Sequence, residues 1–139
     1  MTWSIYDPTT GIITSRVHNA NQLLDRSHVA GNYQPGRWYV RRGQVRPLPE
    51  HPIGADHLVW QWDLASESWS VDMSRTEQAA RIARERLFAF VDQVNPMWWA
   101  AMTVEQQAET QAYRQAILDI PQQSGWPTMI DWPPKPAWL

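Results

Sequence analysis

Apolar and polar residues alternate through the first half of the chain, as they do in half-buried strands. WSIY (3–6) and IITSRV (12–17) flank DPTTG (7–11), where Asp-Pro opens a turn and Gly closes it, so a hairpin is predicted. RWYVR (37–41) and QVRPL (44–48) flank Arg42-Gly43, a second hairpin. LVWQWDL (58–64), the turn ASES and WSVD (69–72) make a third, with Trp60 and Trp62 two apart and hence on one strand face. Residues 18–36 are rich in Asn, Gly and Ser and read as a loop with one helical turn at NQLLDR; PEHPIGAD (49–56) reads as a loop with two prolines.

Beyond residue 72 the period changes. Ser74-Arg75-Thr76-Glu77 has the form of a capping box. Behind it Ala79, Ile82, Ala83, Leu87, Phe90, Val91 and Val94 recur at three- and four-residue steps, one stripe of an amphipathic helix. Glu77 and Arg81 form an i,i+4 pair on its wet face. Asn95-Pro96 stops this helix, and MWWAAM (97–102) reads as a short link. A second box, Thr103-Val104-Glu105-Gln106, opens a helix to about Asp119, whose buried side is predicted as Val104, Ala108, Ala112, Tyr113, Ala116, Ile117 and Ile120. Pro121 is expected to push Ile120 out of the helical region. Strands first and helices after give an α+β fold: a β-hairpin-rich module over 1–72, then a helical hairpin with an extended Trp/Pro-rich tail over 73–139.

Composition changes the picture at one point, tryptophan. There are ten. Each indole can bury about 150–250 Å², worth about 4–6 kcal/mol at ~25 cal/mol/Å², so most must be covered. Two readings stand open: the indoles are the core, or modules this small leave several to be covered by a partner. A formal net charge of −2 calls for neither nucleic acid nor an anionic membrane. Without cysteine there is no disulfide, thiolate metal site or Cys nucleophile. The N-terminal stretch lacks the pattern of a secretory signal, and no run approaches the ~20 apolar residues of a membrane span. The expectation is a protein used in a cytoplasm.

The search for chemistry returns little. His18, His28, His51 and His57 read as loop histidines outside any HExxH helix, and only His57 has an adjacent carboxylate, Asp56. Gly31-Asn-Tyr-Gln-Pro-Gly36 has the outer spacing of a phosphate loop, but Arg37-Trp38 follows in place of Lys-Ser/Thr. No catalytic residue, metal site or cofactor is predicted. Arg37, Arg41, Arg42 and Arg46 interleave with Trp38 and Tyr39, as on a single-strand nucleic-acid platform, but a half-buried hairpin with a basic edge explains the same residues. Stacking on a sugar would need Trp60 and Trp62 exposed together on one face.

The end of the chain carries the most specific pattern. From Thr103 onward, TVEQQ…YRQAILDIPQQSGWP…WPPKP resembles the C-terminal domain of phage tail assembly chaperone and tail fibre assembly proteins. The matching positions are Thr103, Glu105, Gln106, Tyr113, Arg114, Gln115, Ala116, Asp119, Ile120, Pro121, Gly125, Trp126, Pro127, Trp132 and Pro133, over roughly residues 103–136. The family usually has a polar, acidic stretch between its helices; here Pro96-Met97-Trp98-Trp99 offers apolar surface instead. The resemblance implies a non-enzymatic protein without cofactor. It would bind a tail-fibre or other tail protein as an assembly chaperone, or stay in the virion as a fibre cap or adaptor. A carbohydrate-binding module of the host-recognition apparatus is the alternative. Trp98, Trp99, Trp126, Trp132, Pro133 and Trp138 are the expected partner-binding residues. Tyr113, Arg114 and Asp119 form the structural motif, with Asp119 expected to be held by backbone N–H groups of the QQSG turn or by Arg114.

Overall fold

The computed structural model describes all residues, Met1–Leu139, and the fold is α+β: seven short strands precede three helices. The chain divides into two compact units, Met1–Ile53 with Trp60–Ser70, and Gly54–Val59 with Val71–Leu139.

In the first unit β1 (Trp3–Tyr6) is the centre of a three-stranded sheet, antiparallel to β2 (Ile13–Val17) on one side and to β3 (His28–Ala30) on the other. The third strand lies within the stretch expected to be loop. Its period-2 signal is only HVA, and it is held by pairing with β1 rather than by local propensity. The turn before β2 needs Gly11 at φ 74°, and a Cβ there would meet the Val40 carbonyl oxygen at 2.4 Å. Ile5, Val17 and Leu23 form a small core against Trp3. β4 (Trp38–Arg41) and β5 (Gln44–Pro47) pair antiparallel across Arg42-Gly43, both at positive φ, as a two-residue hairpin turn requires. β6 (Trp60–Asp63) and β7 (Ser68–Val71) complete the third hairpin. Within this hairpin β4 is covered on both faces at its centre, at Tyr39 and Val40, while β5 is mostly exposed. Tyr39 lies beside Trp62, ring centroids 4.9 Å apart, and the Val40 N–H donates to the Gly11 carbonyl at 2.8 Å.

In the second unit α1 (Met73–Asp92) is capped by Asp72, whose Oδ1 accepts the Arg75 N–H at 3.0 Å; Ser74 is not the cap. Asp72 is already fixed, since its own N–H donates to the Val59 carbonyl at 2.8 Å, and this starts the helix two residues earlier. Thr76 is buried with its Oγ1 accepting the Val59 N–H at 2.9 Å, and Glu77 turns instead to Arg81 at 2.6 Å. The inward face of α1 is accordingly rotated from the predicted stripe. It runs through Thr76 and Ala80 to Leu87, Phe88 and Val91, while Ile82 and Phe90 stay exposed.

MWWAAM is not a link. Residues Pro96–Ala101 form α2, with Asn95 Oδ1 accepting the Trp98 N–H at 2.8 Å and Pro96 in the first turn, where no N–H is missed. The expected helical hairpin therefore has a third helix in it. α3 (Val104–Asp119) opens with the predicted Thr103–Gln106 capping box. Its inner face is Thr110, Tyr113 and Ile117, whereas Val104, Ala108 and Ala112 face solvent. Ile120 keeps helical angles (φ −49°, ψ −48°), and Pro121 sits in the first turn of a 3-10 segment, Ile120–Gln122. A proline is tolerated there because that position has no hydrogen bond to lose.

Candidate functional site

The second unit is organised by three side chains of the α3 end, Tyr113, Ile117 and Ile120, at i, i+4 and i+7. Leu87, Phe88 and Val91 of α1 pack on them, as do Trp126, Ile130, Trp132 and Leu139 of the returning chain. Arg84 crosses from α1 to the end of α3, its Nε donating to the Ile117 carbonyl at 2.8 Å and its Nη2 to that of Leu118 at 3.3 Å. The Ile117 carbonyl also accepts the Ile120 N–H, and both carbonyls are met by a cation at the helix end, where the dipole favours one. Arg84 was not singled out in the sequence; its place mid-stripe among Ala80, Leu87 and Val91 was the available signal.

The motif residues then fall into place. Tyr113 is 4% exposed, and its hydroxyl is buried without a hydrogen-bond partner. Arg114 lies 5.8 Å from the Phe88 ring centroid. Asp119 accepts from Gln115 Nε2 at 3.0 Å, not from the QQSG turn or Arg114 as expected, because an i−4 amide on the same helix reaches it first. Gly125 has a steric reason: a Cβ there would stand 2.4 Å from the Met129 carbonyl oxygen. The Gly125 carbonyl accepts the Met129 N–H at 2.7 Å, which closes the turn.

None of the tryptophans expected to bind a partner is fully free; Trp98, Trp99, Trp126, Trp132 and Trp138, with Pro133, are half-buried. Trp126 lies under the Arg81 guanidinium, 5.6 Å from its ring centroid. Trp132 meets the edge of His57, whose Nε2 donates to the Pro127 carbonyl at 2.7 Å. Trp138 Nε1 donates to Thr110 Oγ1 at 3.0 Å. Trp99 lines a hollow of about 370 Å³ with Val91, Val94, Pro96 and Thr110.

The exposed apolar side chains of this unit are others. Met97 is 85%, Met129 76% and Ile82 55% exposed, with Val104 and Phe90 also open to solvent. Met129 and Ile82 each border one of two grooves that share Ala55. In one, of about 620 Å³, Trp132 and His57 face Ala79, Ile82 and Arg86 of α1. In the other, of about 890 Å³, Leu58 faces Gly125, Met129 and Ile130. The sequence places Met97 in an apolar stretch, Pro96–Trp99, but neither it nor Met129 is among the expected partner-binding residues, which are indoles and a proline. Met97 was legible as an apolar residue in the first turn of a short helix, had that helix been recognised.

A shallow, apolar, groove-bearing surface on a helical unit suits protein binding. Residues 77–137 match the phage tail assembly chaperone protein family. The chaperone match begins within α1 and runs through α2, α3 and the returning chain, so it takes in the packing just described and extends the resemblance of 103–136 back toward the N-terminus. No curated protein and no solved structure matches the chain. No helix is long and apolar enough to cross a membrane.

Proposed function

We propose that this protein is a non-enzymatic phage tail assembly chaperone, acting in the host cytoplasm. It would bind a tail-fibre or other tail protein and cover apolar surface which that protein exposes before it assembles. The observation that carries this reading is the placing of Met97, Met129 and Ile82, all exposed, in the segment matched by the chaperone family. Free methionines adapt to irregular apolar partners, and half-buried indoles beside them present a stiff contact at small entropic cost. Trp98, Trp99, Trp126, Trp132, Pro133 and Trp138 are half-buried and would add their open edges to this surface, Trp132 from the wall of one groove and Trp99 from that of a smaller hollow. Residues 1–72 and 73–139 act as two modules in this scheme, the second engaging the partner. Retention in the virion as a fibre cap or adaptor is the permanent form of the same contact.

Co-expression with each tail and fibre protein of the same phage tests the reading. The partner should be soluble with the intact protein and should aggregate with Met97→Asp combined with Ile82→Asp, two changes on exposed positions that spare the core. Solubility unaffected by the protein would remove the chaperone role. Mass spectrometry of purified virions then separates the two forms: a fixed ratio to the fibre marks a cap, and absence marks a chaperone that lets go. The carbohydrate alternative has less to stand on, because Trp62 is 5% exposed and the Trp60–Trp62 pair does not offer two open rings.

A further inference from the structure

We propose that the tip of the β4–β5 hairpin in the first unit is a second interaction site, one that binds an acidic peptide segment of a partner protein through Arg41, Arg42 and Arg46. The site lies outside the family-matched segment and stands independently of the assembly reading.

Strand register brings the residues together. Tyr39 faces Arg46, and Arg41 faces Gln44, across the antiparallel pair, so all four side chains project from one face. Arg42, at φ 52° in the two-residue turn, stands at the tip. On that face a single carboxylate serves as the hub. Glu67 Oε1 accepts from the Tyr39 hydroxyl at 2.7 Å and from Arg46 Nη1 at 3.0 Å, while Oε2 accepts from Arg41 Nη1. Arg41 Nη2 donates to the Ala65 carbonyl at 3.2 Å. Arg42 makes neither an ion pair nor a side-chain hydrogen bond, whereas Arg41 and Arg46 make both.

Two guanidinium groups thus converge on one carboxylate and Arg42 adds a third at the tip, so the three arginines exceed Glu67 by two positive charges (three minus one). A hollow of about 260 Å³ between them is lined by Arg41, Arg42, Gln44 and Arg46 alone, all hydrogen-bond donors. Arg41 and Arg42 also border a second hollow of about 590 Å³, with Thr9, Gln61, Trp62 and Leu64. Asp63 lies in that second hollow, its Oδ1 accepting the Ala65 and Ser66 N–H groups of its own turn at 2.9 and 3.3 Å. A guanidinium offers five donors in a fork matched to carboxylates, and Glu67 takes one nitrogen from each of Arg41 and Arg46. The remaining donors and the whole of Arg42 are open to a second carboxylate.

The choice of peptide over nucleic acid rests on the aromatic residues. Base stacking needs an open ring beside the cations. Tyr39 is buried beneath the cluster, and Trp38 projects from the opposite strand face, where it packs on Tyr33 at 5.5 Å between centroids. Trp62, beside the second hollow, is itself buried, and what else adjoins the cations there is a polar and apolar mixture, Thr9, Gln61, Asp63 and Leu64, suited to a backbone and its side chains.

The test is an NMR titration of the full chain, reading the arginine Nε–Hε resonances. The probes are a hexaglutamate peptide, a hexaglutamine peptide and a hexathymidylate oligonucleotide. The expected result is saturable shifts at Arg41, Arg42 and Arg46 with hexaglutamate alone, weakening as salt is added. Arg42→Gln should lower that affinity about fivefold, the upper range for one exposed ion pair; since Arg42 holds nothing in this chain, the fold does not depend on it. Glu67→Gln, where it folds, should tighten binding by freeing two guanidinium groups. Absence of arginine shifts with hexaglutamate, an unchanged affinity in Arg42→Gln, or tighter binding of the oligonucleotide would each overturn the proposal.

Discussion

The two units use the same residue types, tryptophan and arginine, in opposite ways. In the first, Trp62 meets Trp69 at 5.3 Å and Tyr39 at 4.9 Å, and His51 stacks on Trp60 at 6.0 Å, so aromatic rings pack on one another. Two of its arginines, Arg41 and Arg46, converge on one glutamate. In the second, Trp126 and Trp132 are laid on an aliphatic stripe, Ile117 and Ile120, and Arg84 meets backbone carbonyls. Strands of four or five residues offer little apolar face each, so the hairpins fill space with rings and bind their edges with charge. A sixteen-residue helix supplies a continuous stripe, and its remaining need is at its end, where carbonyls go unpaired. The difference follows from element length rather than composition.

The sharpest way to break the comparison is to open the aliphatic stripe. Ile117 is completely buried between α1, α3 and the returning chain. Ile117→Ala should cost about 2–5 kcal/mol, the range for a large-to-small change in a well-packed site, read as a lower urea midpoint by far-UV circular dichroism. A loss below about 1 kcal/mol would mean that the indoles, not the isoleucines, hold this unit together. Next in size is Arg84→Met, which keeps the aliphatic stem but leaves the Ile117 and Leu118 carbonyls without their charged donor. About 1.5–3 kcal/mol is expected, as for hydrogen bonds to a charged group, with faster hydrogen exchange in the last turn of α3.

Those two residues also mark what was legible beforehand. Ile117 could be read directly, since Tyr113, Ile117 and Ile120 repeat at helical spacing and the Thr103 box fixes where the helix starts. For Arg84 only its place on the apolar stripe was legible, because its partners depend on where the end of α3 comes to lie against α1, a tertiary fact. The same division runs through the fold. Hairpins with strong turn residues were legible, as at Arg42-Gly43, but β3 was hidden because it is defined by its partner strand. The α1 cap was misread because Asp72 is preorganised by Val59, thirteen residues upstream, and sequence shows only the nearby Ser74 box. In the candidate site the half-buried indoles were foreseen as important. Met97 was legible only as part of an apolar stretch and Met129 not at all, since exposure is set by packing around them.

A smaller effect sharpens the other side of the comparison. Hydrogen bonding from the Tyr39 hydroxyl is the main influence holding the Glu67 carboxyl below its ordinary value of 4.5, with Arg41 and Arg46 acting in the same direction and burial opposing them. A carboxyl whose folded value is depressed adds stability above its unfolded value, and that stability is lost as pH falls through the folded value. The first unit should therefore weaken from about pH 4.5 downward. Glu67→Gln should be less stable at neutral pH and show a flatter acid limb. The same bond, with burial, raises the Tyr39 hydroxyl above 10.0, so its contribution is present below that value and is lost as pH rises beyond it. In Glu67→Gln the tyrosinate absorbance of Tyr39 should appear at lower pH than in the parent. An unchanged acid limb and an unchanged Tyr39 titration would show the hub to be inert.

The smallest expected change asks why the motif has a tyrosine at 113 at all. Its hydroxyl is buried with no partner, and burial alone pushes its titration upward. An unpaired buried hydroxyl costs free energy, so Tyr113→Phe should be neutral or stabilising by up to about 1 kcal/mol, with the ring still packed on Ile117 and Ile120. Trp62 Nε1 presents the same problem in the first unit, but no isosteric change removes it without losing volume between Tyr39 and Trp69. Tyr113 is therefore the clean probe. If the Phe variant folds, gains stability and still solubilises the partner in co-expression, position 113 is needed for ring volume against the stripe. If it loses more than about 1 kcal/mol, the hydroxyl has a bound water or other partner, and the helical unit contains a polar anchor after all, which would draw the two units closer in kind.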